Sequence, residues 1–106
     1  MSLVLFAAPS TRFNMSAAEP FGDIEFLMDG DVVNAFRTDD LVKRVHSELD
    51  ELNFNPETDF FGITGATATV AIVFGVMLAK YKRVRVLLFD AVNDGYVERV
   101  VGADAS

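Results

Sequence analysis

Residues 59–80 read DFFGITGATATVAIVFGVMLAK, and no residue between Asp59 and Lys80 carries a charge. The stretch has the length of a membrane span, which needs about 20 apolar residues. Its first half argues against that reading. Gly62, Thr64, Gly65, Thr67 and Thr69 dilute the hydrophobicity and favour a turn. The pattern predicts a buried strand over 59–64, a tight turn at Thr64-Gly65 and a helix over 66–80. In that helix Ala71, Gly75 and Ala79 repeat at every fourth position, while Val70, Phe74, Met77 and Tyr81 form a bulky second side. A helix that is apolar on both sides needs cover on both. The sheet supplies one cover. The first helix or a second subunit supplies the other.

Downstream, Lys80-Tyr81-Lys82-Arg83 places positive charge at the helix C-terminus, where the dipole favours it. Val84 to Asp90 predicts a central strand, apolar on both faces. Asp94-Gly95 is a hairpin signal with two admissible registers, Asp90 opposite Arg99 or opposite Glu98. Opposite charges across a pair favour the first. The last strand then covers Tyr96 to Val101.

Upstream, Leu3 to Ala7 predicts a buried strand ended by Pro9, and Ser10 to Gly22 a loop that admits a helical turn near Ser16 to Glu19. Asp23 to Phe36 predicts a hairpin turning at Asp29-Gly30. Thr38 is a suitable N-cap for a helix whose stripe is Leu41, Val42, Val45, Leu49 and Leu52. His46 sits at the edge of that stripe, one turn from Asp50. Asn53 and Asn55-Pro56 end the helix and turn the chain.

Residues 1–106 have room for one domain. The predicted fold class is α/β: a small Rossmann-like mixed sheet of about four to six strands with two helices and two β-hairpins. Strands 59–64 and 84–90 run parallel across a right-handed crossover.

Hydrophobic residues make up 51% of the chain and charged ones 24%, a globular rather than a disordered balance. With no Cys there are no disulfides, thiolate metal sites or Cys nucleophiles, and a reducing cytoplasm fits. One His leaves little for zinc, a carboxylate-bound Mg²⁺ stays open, and no cofactor is implied. The net charge of −7 argues against duplex nucleic acid and against an anionic membrane surface. An acidic face could engage a basic protein partner, although acids scattered rather than blocked also serve simply to keep a small protein in solution. The apolar N-terminal run is short and lacks the basic region of a signal peptide.

Ligands of open α/β sheets gather beyond the carboxyl ends of the parallel strands. If the first strand is parallel to the other two, three loops meet there, carrying Ser10, Thr11, Arg12 and Asn14, then Thr64, Gly65 and Thr67, then Asp90 with Asn93. Gly65 would let a ligand approach the backbone, and Arg12 could clamp a phosphate. Neither GxxxxGK[ST] nor GxGxxG occurs. No Ser lies in a GxSxG turn, and His46 falls mid-helix. These residues favour binding over catalysis.

Residues 59–101, with Thr64-Gly65, Lys80 to Arg83, Leu87 to Asp90 and Tyr96-Val97 as the matching points, resemble small α/β proteins encoded by tailed phages and prophages. The resemblance implies a viral accessory protein in the host cytoplasm and carries no catalytic motif. The expected function is non-enzymatic interaction with a host or viral protein, with a homodimer formed through the apolar helix or an uncovered sheet face. The alternative is a small nucleotide- or phosphate-binding domain using Arg12 and the Thr64-Gly65 turn.

Overall fold

A computed structural model describes residues 2–10, 12–28, 38–65 and 67–102. Five strands form one sheet in the order β2-β1-β3-β4-β5. They are β1 (Leu3–Phe6), β2 (Asp23–Phe26), β3 (Phe60–Gly62), β4 (Arg83–Asp90) and β5 (Gly95–Gly102). β2, β1, β3 and β4 run parallel, with Val4 beside both Ile24 and Phe60, and Phe61 beside Val86. β5 returns antiparallel at the edge.

Side chains alternate along each strand, so the sheet has two apolar faces. Leu5, Phe61, Val84 and Val86 point to one of them. There α1 (Thr38–Glu51) lays down Leu41, Val45 and Leu49, and α2 (Thr67–Tyr81) lays down Val70, Val73 and Met77. Val4, Phe6, Phe60 and Leu87 point to the other face, covered by a 3-10 helix over Met15–Phe21 through Met15 and Ala18. Each large aliphatic side chain buried this way contributes roughly 1.5–3 kcal/mol.

The expected Rossmann-like domain with two helices is corrected by this third helix. Ser10 to Gly22 reads as a loop because Pro20 interrupts the last turn and Asn14 and Ser16 favour turns. Its apolar residues are too few for a 3.6-residue stripe, yet they suffice to cover a sheet face that would otherwise meet water. Asp23–Phe26 pairs in parallel with β1, while the Asp29-Gly30 turn and the return arm of the expected first hairpin lie outside the described residues. The side chain of Thr38, the expected N-cap, lies outside them as well.

The second hairpin is present in a different register. Asp90 pairs with Gly95, Val86 with Arg99 and Leu87 with Glu98. The Asp90 carboxylate explains the shift. Its Oδ1 accepts the N–H of Val92 at 3.0 Å and of Asn93 at 3.3 Å, and its Oδ2 accepts Asn93 Nδ2 at 2.7 Å. Asp90 therefore closes a longer turn over 91–94 instead of facing Arg99. Glu98 finds Arg85, whose Nη2 donates to Glu98 Oε2 at 2.7 Å while its guanidinium lies 4.5 Å from the Phe60 ring centroid. Asp50, expected beside His46, takes Lys80 Nζ at 3.1 Å and so ties α1 to the end of α2.

Gly62 is dictated by packing. Phe6 reaches across from the adjacent strand, and a Cβ on Gly62 would fall within its ring. The same ring stacks on Phe26 at 6.0 Å and meets Tyr96 edge-on at 5.9 Å.

Candidate functional site

The strand-to-helix turn after β3 opens a cleft of about 390 Å³. Thr64, Gly65 and Thr67 line its polar part. Phe13, Ile63, Val70, Ala71 and Phe74 line the rest. Gly65 has φ +127°, a conformation that side chains rarely adopt, so the residue type follows from the turn itself. Thr64 is 4% exposed, and its hydroxyl lies 3.5 Å from the Tyr96 hydroxyl. Burial pushes Tyr96 above the ordinary phenol value, opposed by its contact with Thr64. Phe74 stacks on Phe61 at 6.0 Å and Phe13 meets Phe89 edge-on at 5.9 Å, which fixes both aromatic walls.

Of the residues anticipated at the strand ends, Thr64, Gly65 and Thr67 line one cleft, and Ser10, Arg12, Asn14 and Asp90 lie outside its lining. Arg12 is exposed, with its guanidinium 5.9 Å from the centroid of the Phe13 ring. Its backbone N–H donates to Ser10 Oγ at 3.2 Å. Asn14 Nδ2 donates to Asp94 Oδ2 at 3.0 Å and fastens the start of the 3-10 helix to the β4–β5 turn. Asp90 serves that turn, and its hydrogen bonds from Asn93 lower its pKa.

Sequence reasoning missed Phe13 and Phe74 as walls. Phe74 belonged to the bulky side of the helix pattern, whereas Phe13 carried no local signal. A second cleft of about 440 Å³ opens between β2 and α1, where Glu25, Arg44 and Glu48 bring charges of both signs. Among the described residues no group of three or more Asp, Glu or His could hold a metal ion. No helix among them is long and apolar enough to cross a membrane.

The family model for Phage Pam3 gp32-like protein matches residues 7–102. The chain belongs to this family. The match takes in β2, α1 and the 3-10 helix, well beyond the segment 59–101 whose pattern resembles phage proteins. Searches of curated proteins and of solved structures returned no match.

Proposed function

We propose that this phage-family chain is a non-enzymatic interaction protein, acting in the host cytoplasm on a host or viral protein and pairing with itself through the outer face of α2. The observation that carries this reading is an apolar helix with one side open. Ala71, Gly75 and Ala79 are exposed, Ile72 and Leu78 are half-buried beside them, and no charge occurs from Thr67 to Ala79. A helix that is apolar all round is ordinarily covered all round. A Cβ on Gly75 would meet nothing within 4 Å, so packing inside the chain does not require glycine there. Close approach of a second helix would make use of the small residue.

Sizing with light scattering tests the pairing. The expected mass is twice the 11.6 kDa of one chain, returning to one chain in Gly75→Glu. A clean monomer of the unaltered chain refutes self-pairing. The acidic surface suits a basic partner, whose capture from host lysate should weaken as salt is raised.

A second reading is a small nucleotide or phosphate site that uses Arg12 and the Thr64-Gly65 turn. In its favour, Arg12 makes no ion pair among the described residues. A nucleotide-induced melting shift that is lost in Arg12→Ala would support it. No shift with any nucleotide would remove its basis.

A further inference from the structure

The four parallel strands are wound in opposite directions from their middle. β1 connects to β2 through the 3-10 helix on one face, and β3 connects to β4 through α2 on the other. The chain therefore diverges between the carboxyl ends of β1 and β3. In open α/β sheets that divergence leaves a crevice in which ligands bind. The Gly65 cleft lies there, with Phe13 from the connection after β1 and Thr64 and Gly65 from the end of β3. Its volume of about 390 Å³ is that of a small-molecule site.

The lining determines the ligand chemistry. No charged residue lines the cleft, and aromatic and aliphatic carbon supplies most of its wall. A phosphate placed inside would lose its hydration against Ile63, Val70 and Phe74 without a cation in the wall. The nearby cation is Arg12, outside the lining and beside the Phe13 ring. Among the described residues it makes no ion pair, in a chain with 16 acids against 9 Lys and Arg. An unpaired guanidinium beside Phe13, one wall of an uncharged apolar cleft, is complementary to an acid attached to an apolar body.

We propose that the cleft binds a small carboxylate on an aromatic or branched aliphatic body. The body lies against Phe13 and Phe74 and the carboxylate meets Arg12. The inference rests on the second reading's choice of site and replaces its ligand class; it does not depend on the outer face of α2.

Amide NMR titration of the full chain with three probes tests it: N-acetylphenylalanine, its neutral amide and inorganic phosphate. The acid should shift Gly65, Thr67 and Ala71 saturably. The neutral amide should bind about tenfold more weakly, the worth of one charge-assisted contact. Arg12→Gln, at an exposed position, should lower the acid's affinity by the same factor and leave that of the amide unchanged. Phosphate alone should move none of the three. Absence of shifts with the acid overturns the proposal. Equal binding of acid and amide also overturns it, because the cleft then takes an uncharged group such as a partner's side chain. Shifts with phosphate alone restore the anion site instead.

Discussion

The carboxylate of Asp59 holds the backbone of Leu3: its Oδ1 accepts the Leu3 N–H at 2.9 Å, 56 residues away in sequence. Its Oδ2 accepts the N–H of Asn55 at 2.8 Å. One side chain, 7% exposed, thus joins the start of β1 to the turn that leads into β3. A hydrogen bond to a charged group contributes more than a neutral one, and its loss strands a donor with no partner. Asp59→Ala should cost about 2–3 kcal/mol. Urea denaturation should give a lower midpoint with an unchanged slope, and Asp59→Asn should cost less because one acceptor remains.

Gly62 and Phe6 make a second testable pair. A methyl group at position 62 has no room beside the Phe6 ring. Gly62→Ala should destabilise by about 1–3 kcal/mol, the usual cost of overpacking. Phe6→Leu in the same chain should recover part of that loss, and a double-mutant cycle measures the coupling.

The two tyrosines contribute to the alkaline limit. Burial raises the pKa of Tyr81 above 10.0, helped by the charges of Asp50 and Asp59. Tyr96 is raised as well, first by burial. Both folded-state values exceed the unfolded one, so the stability they contribute is complete below pH 10.0 and is lost as pH rises through the folded values. With two tyrosines in the chain, tyrosinate absorbance reads them directly. The titration midpoint should lie above 10.0 in buffer and fall to about 10.0 in denaturant.

Asp90 acts at the acid end. Hydrogen bonds from Asn93, side chain first, lower its pKa below 3.8. Its contribution is complete above the unfolded value and is lost as pH falls through the lower folded one. Its hydrogen bonds lie at an exposed turn, so the effect is small. Asp90→Ala should flatten the acid limb of stability and broaden the amide resonances of Val92 and Asn93, whose donors it frees.

The candidate site was partly legible in the sequence. A strand ending in Thr64-Gly65 and leading into an apolar helix announces a tight turn, because that geometry is local. Gly65 has the positive φ that such a turn demands. The wall residue Phe13 was not legible. It belongs to a segment without periodicity and reaches the cleft only because the 3-10 helix crosses the second sheet face. The hairpin register was misread for a related reason. Charge pairing across the strands favoured Asp90 opposite Arg99, but Asp90 bonds to its own turn, and such local side-chain-to-backbone bonds compete with cross-strand contacts.

The sequence by itself determined the periodic elements: the Leu41, Val45 and Leu49 stripe of α1, the β3–α2–β4 crossover, and a turn near Asp94-Gly95. Apolar spacing records which side of an element is buried, and that information is local. The tertiary structure alone decided that the helical turn admitted near Ser16 to Glu19 extends over Met15–Phe21 as cover for a sheet face, that Asp23–Phe26 runs parallel to β1, and that Asp59 reaches Leu3. Each depends on a partner far away in the chain. Burial of a second sheet face and satisfaction of stranded N–H groups are gained only when those distant partners meet, so no window of sequence contains them.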